Sequence, residues 1–501
     1  MVTASADDSA HGKPVFDRKV TEDTTPKDHR SDEEIAATIK EDQFALGSGT
    51  NVLPMTVGIA RGAWYQVGYH MCTSVAGAAL LGLPFAMGLL GWAPGVIALL
   101  LGFGVTFWTS RIIASFHEYG GRRNIRYRDL ASSVLGPKWG PWCVWPCQWA
   151  NLIGALISVF IQSGESFQAV YTLLGGTKHI TLTEFIAIMG VICMLFTQLP
   201  TFHSLWFINL LNMLNTYLFT AVALIIAIFQ SAKYDLPRDY GVHGSNADKA
   251  FGVFQGIVIM HFVYGNTIIP EIQATAKAPS VVTMNKAIYL LYAQLAVTYI
   301  PAAFIGYACF GTSPHQDSGL ISVTLGVPPL GSALVSGGGS FLPFYMASIP
   351  SADNPSPKWA LVLINLLILW NAVCGCMIYS APIMETFETK LLDQKGGLWA
   401  VKNWFTRTAL RCFYIFLAAF FAAMFPYFGD ILALVGALGI TPIDFVLPLA
   451  MYIFLRKPKG WKLWLNWTLM VFYICIMIIG AVAAIRGIVL DASKYSIFPN
   501  L

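Results

Sequence analysis

The sequence predicts an all-α polytopic membrane protein with about 11 transmembrane helices. Hydrophobic residues make up 56% of its 501 positions and charged residues only 12%, which is about half the charged share of a soluble domain. Residues 1–50 carry 11 of the 27 acidic side chains and 6 of the 31 basic ones. A charged tail before a strongly apolar body is typical of membrane proteins, and it disfavours a soluble enzyme or a nucleic-acid-binding protein.

Composition divides the chain into three parts. Residues 1–60 are polar and low in aromatics, so we expect a disordered cytoplasmic tail. Residues 61–490 form the transmembrane domain, and residues 491–501 form a short C-terminal tail. The N-terminal tail lacks the apolar core of a cleavable signal peptide, so we expect the first span to direct insertion.

Eleven apolar stretches are candidates for crossing a bilayer, which takes about 20 residues. They are 64–88, 92–116, 141–174, 183–200, 206–231, 251–271, 286–310, 358–387, 407–427, 430–455 and 463–489. Residues 320–350 are rich in Gly, Pro and Ser, and we interpret them as a long loop, in part re-entrant. Reading them as a helix instead would make twelve spans and move the C-terminus to the other side.

Loop charges predict the orientation. With the N-terminus in the cytoplasm, the predicted inner loops carry 13 Lys and Arg residues, whereas the outer loops and the C-terminal tail carry 5. The first inner loop, 117–140, holds five of the 13. Cytoplasmic loops carry an excess of Lys and Arg, so the N-terminus is predicted inside and the C-terminus outside.

Two spans contain segments that interrupt a helix. The first span contains the small-residue segment from Val75 to Pro84, and the sixth contains Tyr264 to Thr267 followed by Pro270. Backbone left unpaired inside a bilayer is tolerated where it lines a cavity or binds a ligand. Interruptions at corresponding positions of two halves indicate the central site of a transporter. The alternative is that Gly and Pro only kink two ordinary helices.

Paired breaks of this kind suit a zwitterionic substrate. The N-terminus of a half-helix presents free N–H groups and a partial positive charge, which hold a carboxylate without a cationic side chain. Free carbonyls at the end of the adjoining half-helix hold an ammonium group. We therefore predict a secondary carrier for small zwitterions. The alternatives are a receptor or channel without turnover, and a carrier of another solute class such as sugars.

Ionisable side chains are rare at bilayer depth, so each one is a candidate for proton coupling. Burial disfavours their charged form, which lets them exchange a proton when their solvation changes. The alternative for each is a capping or interhelical hydrogen bond. The predicted coupling residues are Glu165, Glu271, His70 and His261, while Asp430 and Asp444 in the tenth span receive no role.

No cofactor is predicted apart from the proton as coupling ion, and no metal site is predicted. The pairs Cys143/Cys147 and Cys374/Cys376 have metal-like spacing, but no His or carboxylate lies close enough to complete a set of four. Sodium coupling is disfavoured because Ala372-Val373-Cys374 in the eighth span offers few side-chain oxygens.

Five sequence blocks are distinctive: Trp64-Tyr65-Gln66-Val67-Gly68, Leu90-Gly91-Trp92, His117 to Leu130, Pro270-Glu271-Ile272-Gln273-Ala274-Thr275 and Phe304-Ile305-Gly306-Tyr307. These blocks resemble the amino acid/auxin permease family, and within it the plant proline and compatible-solute transporters. The resemblance extends from about residue 63 to 312 and more loosely over 358–390. The segment from Val75 to Pro84 is more similar to the lysine/histidine-type permeases.

The resemblance implies a fold of the amino acid-polyamine-cation superfamily type, a 5+5 inverted repeat with broken helices 1 and 6. It also implies proton-driven symport of amino acids. We therefore expect neutral amino acids or related zwitterions, with proline, betaine and γ-aminobutyrate (GABA) as leading candidates. The expected location is the plasma membrane, with the vacuolar membrane as alternative. The residues implied to contact substrate are Val75, Ala76, Gly77, Ala78, Tyr264, Gly265, Asn266 and Thr267.

Overall fold

A computed structural model describes residues 62–119, 124–178, 180–198, 206–233, 239–242, 244–311, 357–393, 400–424 and 428–492. Within these ranges the chain is almost entirely helical, with an isolated β-bridge between Gly62 and Ala276. The predicted tail 1–60, the loop at 320–350 and nearly all of the C-terminal tail 491–501 lie outside the described residues.

The described part of the chain consists of the following helices. In chain order they are α1 Trp64–Val75, a 3-10 helix Ala78–Gly82, α2 Leu83–Leu90, α3 Trp92–Ser115, α4 Tyr127–Leu135, α5 Trp139–Leu173, α6 Leu182–Phe196, α7 Trp206–Lys233, α8 Asn246–Tyr264, α9 Ile269–Gln273, α10 Ser280–Phe310, α11 Lys358–Leu391, α12 Val401–Met424, α13 Phe428–Val435, a π-helix Gly436–Val446, α14 Leu447–Met451, a second π-helix Tyr452–Arg456 and α15 Trp461–Ala492.

The all-α membrane fold is confirmed. Nine helical runs in the described part of the chain are long and apolar enough to cross a membrane, and the bent pair α1–α2 makes a tenth. Each of the eleven predicted segments contains a helix, although α6, with 15 residues, is shorter than a usual span. The predicted breaks are present, since α1 ends at Val75 and α8 ends at Tyr264.

The structure corrects the predicted loop 117–140, because α4 lies within it. Tyr127, Leu130 and Ala131 form a buried face at helical spacing, and α4 packs on α5. The close approach requires Gly140, since a Cβ at this position would lie within 2.5 Å of the backbone of α4. A helix of nine residues is too short to appear in a search for spans.

Helix α12 also begins earlier than predicted, at Val401. The predicted span, 407–427, already contained Arg407 and Arg411, and the helix adds the six residues before it. Both arginines are buried, and the Arg411 Nε donates to Glu388 Oε1 of α11 at 2.7 Å. An ion pair with a second helix makes charged residues compatible with the buried face of a span.

The sixth and tenth spans form the centre of the helical bundle. Their apolar windows are 72% buried, against 33% for α12 and α15. At Gly436 the tenth span passes so close to α8 that a Cβ would overlap the carbonyl of Val258. Small residues at such contacts let two membrane helices approach closely. Exposed tryptophans stand at the starts of α5 and α15, as in the aromatic belt of a membrane interface.

Candidate functional site

The break in the first span is a short non-helical link. Ala76 and Gly77 join α1 to the 3-10 helix, and Gly77 is extended with φ −105° and ψ −179°. The amides of Ala78 and Ala79 are the first of the new helix, so they have no acceptor within it. A Cβ at Gly77 would lie 3.6 Å from Asn371 Oδ1, an ordinary contact. The link therefore presents backbone amides without requiring glycine at this position.

Side-chain hydroxyls bind the carbonyls of this break. The Tyr379 hydroxyl donates to the Ser74 carbonyl at 3.2 Å, and the Tyr299 hydroxyl to that of Val75 at 2.8 Å. The Ala76 carbonyl accepts a bond from Thr216 Oγ1 at 3.1 Å. The expectation of free carbonyls here is therefore corrected: each already accepts a bond from a neighbouring helix. The Val75 carbonyl also accepts the Gly77 N–H at 2.8 Å, so both of its lone pairs are used.

The break in the sixth span is tied to α5. Gln148 Nε2 donates to the Thr267 carbonyl and to Glu271 Oε1, both at 2.9 Å. Asn151 Nδ2 donates to Thr267 Oγ1 at 2.7 Å. The break is thus held by side chains one helical turn apart on α5, which carry no charge. Pro270 lies in the first turn of α9, as predicted from its fixed φ.

The opposite wall of this break is the tenth span. The Asn266 backbone N–H donates to the Asp444 carboxylate, which is buried within the π-helix. The other Asp444 oxygen, Oδ1, has no hydrogen-bond partner among the described residues. Asp444 thus belongs to the site although the sequence analysis gave it no role. The sign of this role in the sequence is a lone carboxylate two residues after Pro442 in an apolar span. Asp444 lies in a π-helix, and π-helical turns often mark functional sites.

A cavity, here called the break cavity, lies between the two interruptions. Counting its open mouth it encloses about 390 Å³. No charged side chain is among the described residues that line it, so its polarity comes from backbone, amide and hydroxyl groups. The lining residues are Ser74, Val75, Ala79, Asn151, Leu152, Ala155, Phe262, Val263, Gly265, Asn266, Thr267, Ile268, Tyr379 and Ile440.

Four of the eight predicted substrate residues line this cavity: Val75, Gly265, Asn266 and Thr267. Ala76 and Gly77 form the link itself. The Tyr264 ring points elsewhere, with its centroid 6.1 Å from that of Phe103 and 5.7 Å from that of Tyr299. The segment is therefore located correctly, but its first residue packs between α3 and α10.

A second cavity, here called the vestibule cavity, lies beyond Ile268, which lines both. It encloses about 560 Å³, counting its open mouth. Its polar lining brings together His70, Arg126, Glu271 and Glu385, and Arg126 Nη2 lies 3.2 Å from Glu385 Oε1. Two predicted coupling residues, His70 and Glu271, therefore share a cavity, although not the one between the breaks.

The other two predicted coupling residues lie apart. His261 is buried, with Nδ1 2.9 Å from Thr441 Oγ1 and its ring 4.3 Å from that of Phe445. Glu165 lies on α5 ten residues beyond Ala155, which corresponds to about 15 Å along the helix. Neither residue is among those lining the break cavity or the vestibule cavity.

The sequence of the chain matches a family of known proteins. The family described as "Transmembrane amino acid transporter protein" matches residues 60–317 and 347–490. The chain is 33% identical over 448 residues to the Arabidopsis thaliana protein named GABA transporter 1, covering 88% of this chain and 94% of that protein. It is 27% identical to Lysine histidine transporter-like 1 of the same plant, covering 89% and 92%.

A solved structure shares the fold. It is a substrate-bound, outward-open Na+-coupled sialic acid symporter, with a TM-score of 0.50 and 12% identity. The alignment covers 93% of this chain and 99% of that one. At this identity the likeness concerns the fold alone.

Proposed function

Because the chain belongs to the transmembrane amino acid transporter family, it is an integral membrane transporter and not an enzyme, and we propose that it catalyses proton-coupled symport of small neutral zwitterions. Proline, betaine and GABA are the candidate substrates. The observation that carries the proposal is the break cavity, where two interrupted helices face each other across a lining without charged side chains.

The lining favours a zwitterion with an uncharged side chain. Amides at the start of the 3-10 helix bind a carboxylate through N–H groups and the helix dipole. Asn266 and Thr267 present amide and hydroxyl groups opposite. A lysine substrate would bring a second cation, and an unpaired charge in such a cavity is costly. The name of the relative at 33% identity supports GABA as the first substrate to test.

Two carboxylates support proton coupling. Asp444 of the tenth span accepts the Asn266 N–H within the sixth-span break. Glu271, directly after the break, accepts the Tyr127 N–H at 3.2 Å, so each carboxylate links the region of the break to a neighbouring element. A protonated carboxylate is a weaker acceptor than an ionised one. Taking up a proton therefore loosens the contact between the break and its neighbour, which couples proton binding to movement of the break. His70, His261 and Glu165 remain further candidates for the same role.

The surroundings of the two carboxylates differ. Glu271 shares its cavity with His70 of α1, Arg126 before α4 and Glu385 of α11. Asp444 lies near the phenol of Tyr127, whose hydroxyl donates to the Ile443 carbonyl at 2.5 Å. Among the described residues, no Lys or Arg forms an ion pair with Asp444. A carboxylate without a cation gains most from protonation when it is out of water, so Asp444 is the first coupling residue to test.

We also propose an orientation and a membrane. The excess of Lys and Arg in the predicted inner loops supports an N-terminus in the cytoplasm and a C-terminus outside. The plasma membrane is the proposed location, and the vacuolar membrane is the alternative. The orientation is tested with one cysteine added in the tail 1–60 and a membrane-impermeant thiol reagent. Labelling is expected only after the cells are permeabilised, and labelling in intact cells would overturn the orientation.

The proposed function is tested with the purified chain in proteoliposomes. Uptake of radiolabelled GABA and proline is measured with an imposed pH gradient, with a sodium gradient and with neither. The expected result is saturable accumulation that follows the pH gradient. Uptake that requires sodium and ignores pH would overturn proton coupling, and no saturable uptake of any zwitterion would overturn the substrate class.

Asp444→Asn is the decisive variant, because asparagine Oδ1 still accepts the Asn266 N–H. The variant should lose accumulation driven by the pH gradient while retaining exchange of labelled for unlabelled substrate. Asp430→Asn is the matched control: the residue is in the same span and accepts from Gln255 Nε2 at 2.7 Å, outside both cavities. If Asp444→Asn and Asp430→Asn both follow the pH gradient, Asp444 is not the coupling group.

A further inference from the structure

We infer that the vestibule cavity is a second binding site for the zwitterionic substrate, in which Arg126 binds the carboxylate and Glu271 the ammonium group. This inference rests on the proposed transport of zwitterions. The vestibule cavity binds the substrate through charged side chains, whereas no charged side chain is among the described residues that line the break cavity.

Glu271 has an acceptor that its protein neighbours do not use. Its Oε1 accepts bonds from the Tyr127 N–H and from Gln148 Nε2. Its Oε2 is out of contact with solvent and has no partner among the described residues. A buried acceptor without a donor is costly. A substrate ammonium offers three donors and a positive charge, so it supplies the donor that this oxygen lacks.

Arg126 supplies the opposite charge on the same cavity. Its Nη1 donates to Thr386 Oγ1 and its Nη2 lies beside Glu385 Oε1, each at 3.2 Å. The side chains of Arg126 and Glu385 are 13% and 16% exposed, so the pair is accessible from the cavity. The guanidinium fork matches a carboxylate. A substrate carboxylate would therefore compete with Glu385 for Arg126.

The position of this cavity makes it part of the substrate path. Ile268 lines both cavities, so the vestibule cavity adjoins the break cavity at this side chain. Ile272, Ile378 and Pro382 give the vestibule an apolar wall. Pockets for small molecules combine such walls with a few polar groups that fix orientation.

The inference is tested by equilibrium binding of radiolabelled GABA and proline to the purified full-length chain in nanodiscs. The wild type should give two phases, a tight one and a weaker one. Arg126→Gln should weaken the second phase about tenfold or more, since it removes a charge-assisted bond. Glu385→Gln should tighten that phase, because it removes the competitor for Arg126.

The two substitutions separate a binding site from a simple ion-pair contact. Both break the Arg126–Glu385 pair, so a purely structural pair predicts the same effect for each. Arg128→Gln is the control, because Arg128 stacks over Trp145 at 5.4 Å and does not line the cavity. A single phase in the wild type, or equal effects of Arg126→Gln and Glu385→Gln, would overturn the inference. No binding of either probe in any phase would instead count against the proposed function.

Discussion

Gln148 is the residue through which α5 fixes the sixth-span break, and its replacement by leucine tests the site most specifically. The substitution keeps a side chain of similar size. It removes the two bonds to the Thr267 carbonyl and to Glu271 Oε1, both 2.9 Å long. The bond from Asn151 to Thr267 Oγ1 remains, so the break is loosened but not released.

The expected cost follows from the two bonds. A neutral interhelical bond in a membrane protein contributes about 0.6 kcal/mol, and a bond to a charged group about 1.5–3 kcal/mol. Together the two bonds stabilise the position of the break by about 2 kcal/mol or more. If this energy preorganises the site, its loss should weaken substrate binding about thirtyfold.

The assay is substrate affinity from binding to Gln148→Leu in nanodiscs, with thermal unfolding measured on the same sample. Ser158→Ala is the matched control, since Ser158 lies on the same helix and its hydroxyl donates to the Gly154 carbonyl at 2.9 Å, within α5. The control should bind like the wild type. Wild-type affinity in Gln148→Leu would refute the claim that α5 organises the break.

Two further substitutions test the packing that positions the site. Gly436→Ala should lower the free energy of unfolding by about 1–3 kcal/mol and reduce uptake, because the new Cβ meets the backbone of α8; Gly104→Ala, with no atom within 4 Å of its Cβ, should do neither. Glu388→Leu should destabilise the chain by about 3 kcal/mol or more in thermal unfolding, because it leaves Arg411 buried without its carboxylate. Arg486→Gln, which breaks a more exposed pair, should cost less than about 1 kcal/mol. Equal unfolding temperatures within either pair would contradict the packing described for that contact.

Much of the fold could be predicted because its signals are local. Apolar stretches of sufficient length identify spans, and Gly, Asn and Pro in the middle of such a stretch identify a break. The segments from Val75 and from Tyr264 were located for this reason. Helix α4 was missed because nine residues with an apolar face resemble a loop when only long stretches are counted.

The contacts that stabilise the two breaks could not be predicted from the residues around them. Tyr299 and Tyr379 bind carbonyls of the first break from helices more than 200 residues further along the chain. Nothing in the sequence around either tyrosine indicates that partner. The same limit explains His261: it precedes the break in sequence, but its position on α8 directs it toward Thr441 rather than into the break cavity.

The role of Asp444 could be predicted only in part from the sequence. A carboxylate in an apolar span was visible, but its relation to the sixth-span break depends on the π-helix that brings the tenth span beside Asn266. Gly436, Gly439 and Pro442 are the local signs of that irregular and closely packed segment. A search for such residues near intramembrane carboxylates would have placed Asp444 in the candidate site.

An experimental structure with GABA bound at saturation tests most directly whether the two interrupted helices hold a small zwitterion between them. Ligand density is expected in the break cavity, with the carboxylate at the amides of Ala78 and Ala79 and the hydrocarbon beside Val75 and Ile440. Continuous helices through both segments, or ligand density away from both breaks, would contradict it.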